Sequence, residues 1–140
     1  MDADDAAQSS AMMAAGAAGR TVTRILIDFA VTLQFSELKR PSATFVLEAP
    51  FGLAAAGAEP VDVHPGELGQ QAVAVAALFG AVLREVDANQ TGVLTLRFED
   101  GSTIEARPDP RYESWSYVSD DGGRVICAPG GRLDSWDPVA

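Results

Sequence analysis

Between Val93 and Trp136 the chain alternates short apolar runs with clusters of turn-forming residues. The clusters are Asp100-Gly101, Pro108-Asp109-Pro110, Asp120-Asp121-Gly122-Gly123 and Pro129-Gly130-Gly131. Runs bounded in this way are what consecutive antiparallel hairpins require. The Asp100-Gly101 turn also selects a register. A two-residue turn would set Arg97 opposite Ile104 and Leu96 opposite Glu105, mixing charge with core. A three-residue loop, Glu99-Asp100-Gly101, instead sets Leu96 opposite Ile104 and Leu94 opposite Ala106. Thr95, Arg97, Thr103 and Glu105 then share the other face, and Gly101 stands where the loop needs a left-handed residue. The three-residue loop is expected, because a one-residue slip would turn every side chain over. Further strands are expected at 113–118, 124–128 and 133–136.

Upstream, the odd positions from Thr23 to Phe35 read Thr, Ile, Ile, Phe, Val, Leu, Phe. A period of two held for that long fits one long bent strand or two strands meeting near Asp28. A strand at 44–49 with Phe45 and Leu47 inward follows, then a Gly/Ala-rich loop from Pro50 to Pro60 and a short extended piece at 61–64. Leu68, Ala72, Val75 and Phe79 fall on one helical face, with Gly80 as the terminator. Residues 81–86 return to the extended state. The expected architecture is α+β: a curved antiparallel sheet of about seven to eight strands in a meander, with one helix packed on one face. Residues 1–19 lack large periodic apolar side chains and read as a disordered acidic Ala-rich tail. Residues 20–140 read as a single globular domain.

Charge narrows the function. The chain of 140 residues carries a net charge of −10, and residues 85–140 hold eleven acids against five bases. A nucleic-acid partner is disfavoured, because phosphates must be met by Lys and Arg; an anionic membrane is disfavoured for the same reason. A basic protein would be attracted. Cys127 is the only cysteine, so no internal disulfide can form. The acidic start is unlike a secretory signal and no apolar run reaches the ~18 residues of a spanning helix, so a cytoplasmic protein is expected. Monomer and homodimer, the latter through an uncovered sheet face, both stay open.

Catalytic chemistry is hard to assemble from these residues. His64 is the sole histidine, beside Pro65 at a strand end. It could serve as a base, but no nucleophile or orienting partner can be named for it, and a capping or packing role fits better. Cys127 lies in an alternating strand, as a buried structural thiol would. No metal-ligand spacing, phosphate loop or dinucleotide fingerprint is present, so no metal or other cofactor is expected. Glu99-Asp100 and Asp120-Asp121 occupy hairpin tips, where solvation suits recognition better than acid–base work. Glu113, Trp115 and Tyr117 alternate onto one face, and aromatic rings beside carboxylates are what a protein-binding hot spot uses. The competing reading buries Trp115 and Tyr117 under the helix or the first strand. The expected contact residues are Glu99, Asp100, Glu113, Trp115, Asp120 and Asp121, with no catalytic group among them. A small-ligand or minor enzymatic pocket between sheet and helix, lined by His64, Tyr112 and Trp115, is the alternative.

The pieces Phe98-Glu99-Asp100-Gly101, Tyr112-Glu113-Ser114-Trp115, Cys127-Ala128-Pro129-Gly130-Gly131 and Trp136 occur in this order. Together they resemble the C-termini of a family of small, mostly actinobacterial proteins of unknown function. Ile27-Asp28 followed by Leu33-Gln34-Phe35 is similar to that family's opening strands, so the likeness spans about residues 20–137. A looser likeness to immunity proteins of bacterial toxin systems implies a non-enzymatic domain that binds and blocks a basic toxin. It brings no catalytic residues with it.

Overall fold

A computed structural model describes residues 3–139. The chain forms helix α1 (Ala3–Ala17) and strands β1 (Thr21–Ile27), β2 (Val31–Ser36), β3 (Ala43–Leu47), β4 (Phe51–Ala54) and β5 (Val61–Val63). A short helix α2 (Gln71–Ala76) follows, then β6 (Leu83–Ala88), β7 (Leu94–Phe98), β8 (Thr103–Ala106), β9 (Trp115–Ser119), β10 (Arg124–Cys127) and β11 (Leu133–Trp136). The architecture is α+β with one main helix. The strands divide between two antiparallel sheets, in the orders β1-β2-β3-β9-β10-β11 and β5-β4-β8-β7-β6. The α+β class and the antiparallel pairing are as expected, with the strands shared between two sheets rather than running in one meander. β3 pairs with β9, and β4 with β8, across long stretches of sequence that no local pattern announces.

Alternation explains how the sheets meet. Val31, Leu33 and Phe35 of β2, Phe45 and Leu47 of β3, and Leu94, Leu96 and Phe98 of β7 are all buried in one shared core. Phe35 stacks on Phe98 across that core at 6.2 Å between ring centres, and Phe45 leans on Tyr117 at 5.1 Å. Buried aromatic pairs of this kind add about 0.5–1.5 kcal/mol beyond their area. The β7–β8 hairpin has the expected register, Leu96 opposite Ile104 and Leu94 opposite Ala106. Its three-residue loop closes through Phe98 N–H donating to Ser102 O at 2.9 Å, with Gly101 at φ +90°. The run from Thr23 to Phe35 resolves into two strands, whose turn is capped by Asp28 Oδ1 accepting from Ala30 N at 2.9 Å.

Residues 3–17 are a helix, which corrects the reading of a disordered tail there; residues 1–2 of that expected tail lie outside the described residues. Ala6, Ser9, Met13 and Ala17 recur on one side of α1 and are buried. Small side chains let the helix lie close, and it packs against the edge strands β6 and β11. Ser10 Oγ ties it down, donating to Ala88 O at 3.1 Å and accepting from Ala88 N at 2.8 Å. Asp4 and Asp5 sit in the first turn, where the helix dipole favours acids. Gly19, at φ +83°, turns the chain from α1 into β1.

Two other expectations change. The stretch after Pro50 contains a real strand, β4, because Phe51 and Leu53 alternate inward around Gly52. Helix α2 buries Val75, and the turns on either side of it bury Leu68 and Leu78, whereas Phe79 is 65% exposed. Its last turn tightens: Leu78 N bonds Val75 O and Phe79 N bonds Ala76 O, both at 3.0 Å. At three residues per turn Leu78 falls above Val75, and Phe79 swings outward. Gly80, at φ +83°, ends the turn as expected.

Candidate functional site

The residues singled out in the last third separate into a buried junction and an exposed cleft. At the junction the β6–β7 turn is held by Asn89, whose Oδ1 accepts from Thr91 N, Thr91 Oγ1 and Val93 N. Trp115 is fully buried beside it and donates Nε1–H to Gly92 O at 2.9 Å. Cys127 Sγ lies 3.6 Å from the same oxygen, and burial pushes its thiol up from the ordinary value. Gly131, at φ +100°, backs onto Thr91 and Gly92 so closely that a Cβ there would collide with Thr91 O. Trp115, Cys127 and Gly131 therefore lock β9, β10 and the following turn against the loop between β6 and β7. This is structural work.

Tyr112 and Glu113 have a different setting. Asp109 Oδ1 accepts from Arg111 N at 2.7 Å and Tyr112 N at 3.1 Å, and Gly130 N bonds Asp109 O at 2.8 Å. This fixes the proline-rich loop and turns Tyr112 outward, 69% exposed. Across from it, Glu48 N and Ala49 N both donate to Ser114 O. The result is an open cleft of about 490 Å³ lined by Glu48, Ala49, Pro50, Asp109, Tyr112 and Glu113. Glu48 and Glu113 belong to none of the ion pairs found among the described residues. An aromatic face with carboxylates around it can receive a lysine or arginine side chain through cation–π and ionic contact.

The other expected contact residues lie elsewhere. Trp115 is in the core, so its expected place on a binding face is corrected; Tyr117 is likewise buried, under α1 beside Gly16. Asp120 is exposed but committed, with Oδ2 accepting from Ser42 Oγ at 2.6 Å and Ser42 N at 3.1 Å. The hydroxyl and backbone donors of Ser42 hold the Asp120 carboxyl below its ordinary value. Asp121 Oδ1 accepts from Gly123 N at 3.1 Å and closes the same tip. Glu113 and Asp120 flank opposite ends of β9, about 23 Å apart at strand rise, so they do not form one patch. Glu99 and Asp100 cap the β7–β8 hairpin, where Asp100 edges a cleft between α2 and the five-stranded sheet.

His64 is exposed, and its carbonyl accepts from Glu67 N at 2.9 Å in the turn leading to α2. His64, Tyr112 and Trp115 line no shared cavity among those described. Among the described residues no group of three or more His, Cys, Asp or Glu is arranged to hold a metal. No helix among them is long and apolar enough to cross a membrane.

A further cleft, of about 400 Å³, lies between α1 and the six-stranded sheet. Arg20, Arg40, Tyr117, Asp121 and Asp137 contribute polar groups to it. Arg20 is 4% exposed; it donates to Pro41 O, while its Nε is buried without a partner among the described residues. Burial raises the Tyr117 phenol, outweighing the opposing hydrogen bond from Ser119. Sequence patterning missed this cleft because α1, which forms one wall, carries no strong apolar stripe.

A family model described as "Family of unknown function (DUF6188)" matches residues 13–137. The chain belongs to that family. The match begins at Met13 on the buried side of α1 and runs to the residue after β11, so it takes in both sheets, the junction and the cleft around Tyr112. No curated protein and no solved structure matches the chain.

Proposed function

We propose that the protein is a non-enzymatic binding module that captures a basic protein, in the manner of an immunity-type inhibitor neutralising a toxin. The observation that carries this reading is Tyr112, held outward by the Asp109 turn and surrounded by Glu48, Asp109 and Glu113. A partner's arginine or lysine would lie over the ring and meet the glutamates. The acidic excess of residues 85–140 would steer its approach. An immobilised chain should retain a basic protein from its own cells, with affinity falling steeply as salt rises. Tyr112→Ala, and Glu48→Gln with Glu113→Gln, should each weaken capture by about tenfold or more. Capture that ignores both salt and these substitutions would remove the reading.

A second reading, a small-ligand pocket between helix and sheet, rests on the buried, unpartnered Arg20 Nε in the cleft under α1. With two arginines and two aspartates on its walls, the cleft suits a small molecule bearing both a carboxylate and an amine. A thermal-shift screen of amino acids and short carboxylates tests it. Stabilisation lost in Arg20→Lys supports this pocket, and no shift with any of them counts against it.

A further inference from the structure

We propose that the chain forms a two-fold dimer by pairing β1 antiparallel with β1 of a second copy, with Leu26 on the axis. β1 is the last strand on its side of the six-stranded sheet. Its first residues are covered on the open side: Gly80 N bonds Val22 O, Val22 N bonds Ala81 O and Leu83 N bonds Arg20 O. Beyond the irregularity between Val22 and Arg24, the strand pairs, among the described residues, with β2 alone. The stretch Arg24-Ile25-Leu26-Ile27-Asp28 thus presents an unpaired strand edge.

That edge is less protected than the others, since its charges, Arg24 and Asp28, stand only at its two ends. β6 carries Arg84, Glu85 and Asp87 and is overlaid by α1; β5 carries Asp62; β11 carries Asp134, paired with Arg132. Charges, covers and short length are how sheet edges avoid unwanted pairing. β1 instead exposes Leu26 (43%) and Ile27 (44%), with Phe29 (90%) just beyond. Ile25 and Ile27 line a shallow groove with Thr23, Arg24, Ala76 and Phe79. A bare apolar edge beside an apolar groove calls for a strand to cover it.

The choice of a second copy follows from the order of charges. Two such strands placed antiparallel about Leu26 bring Arg24 opposite Asp28 of the other copy, twice. Ile25 then faces Ile27, and Leu26 faces itself. Among the described residues neither Arg24 nor Asp28 belongs to an ion pair within the chain. Elsewhere the chain is strongly acidic, and two copies would repel. This stretch is balanced, so two copies can meet here with opposite charges aligned. The contact is isologous, closes on itself and leaves no further free edge at β1.

Sedimentation of the full chain, at concentrations up to about 100 μM, tests the proposal. The wild-type chain should be dimeric. Arg24→Asp and Asp28→Arg should each weaken the dimer by at least about tenfold, since each sets like charges opposite one another. An equimolar mixture of the two variants should dimerise again, because the carboxylate introduced at position 24 of one copy meets the guanidinium introduced at position 28 of the other. Asp28 also caps the β1–β2 turn, so circular dichroism must show that Asp28→Arg is folded. If it is not, Leu26→Lys replaces it; two lysines on the axis should leave a folded monomer. A wild-type monomer throughout this range would overturn the proposal. So would a dimer indifferent to the folded variants, or folded charge variants whose mixture stays monomeric.

Discussion

Tyr112 and Trp115 stand three positions apart, yet they belong to parts of the molecule that work in opposite ways. Trp115 is walled in at the junction where its indole N–H, the Cys127 sulfur and the Gly131 backbone converge on the Thr91–Gly92 turn. Tyr112 projects from a loop tied down by Asp109 and shows its ring to solvent among three carboxylates. At the junction the indole N–H and the Gly92 carbonyl satisfy each other out of reach of water, so change there costs stability. In the cleft the scaffold is fixed but Glu48 and Glu113 have no ion-pair partners among the described residues, so change there should cost recognition and little else.

The strongest way to break this contrast is to truncate each ring. Trp115→Ala should lose about 3–5 kcal/mol of stability, through the cavity and the orphaned Gly92 carbonyl. Tyr112→Ala should lie within about 0.5 kcal/mol of wild type. Urea unfolding of both variants measures the difference, and equal losses would abolish the distinction. Gly131→Ala comes next. Its left-handed backbone and the collision with Thr91 O together predict a loss of about 2–3 kcal/mol, read from the same transition.

Titration sharpens the contrast further. Burial raises the Tyr117 phenol, so the fold favours the neutral ring. That contribution is complete below the unfolded tyrosine value of about 10 and disappears as the pH climbs through the higher folded value. Unfolding midpoints should therefore drop above about pH 10, and Tyr117→Phe should flatten that part of the profile. The smallest effect belongs to Asp120, whose carboxyl is lowered by the Ser42 hydroxyl and backbone N–H. Its contribution is present above the ordinary aspartate value of about 4 and fades as the pH falls through the lower folded value. Asp120→Asn should therefore shrink the acid-side loss of stability slightly; an unchanged acid limb would show that the Ser42 contact contributes nothing.

Local chemistry was legible in the sequence; distant pairing was not. The β7–β8 register could be read because the Asp100-Gly101 turn and the alternation of Leu94, Leu96 and Ile104 agree. The two-sheet arrangement depends on β3 meeting β9 and β4 meeting β8, and nothing within a strand encodes its distant neighbour. Helix α1 was hidden by its own means of docking, since Ala6, Ser9 and Ala17 let it lie close without an apolar stripe. Phe79 misled because a tightened turn put Leu78 in its place. For the site, a period of two correctly paired Trp115 with Tyr117 but could not say which side of the sheet was the core. Tyr112 lies in a turn rather than a strand, so periodicity had nothing to report about it.

The most direct measurement is a two-dimensional amide NMR titration of the isotope-labelled chain with a short arginine-rich peptide at low and at moderate salt. Shifts gathered at the amides of Glu48, Ala49, Asp109, Arg111, Tyr112 and Glu113, reduced by salt and erased in Tyr112→Ala, are the predicted result. Shifts spread evenly over every acidic side chain, or centred on the Asp120-Asp121 tip with the Tyr112 loop unmoved, would contradict the account.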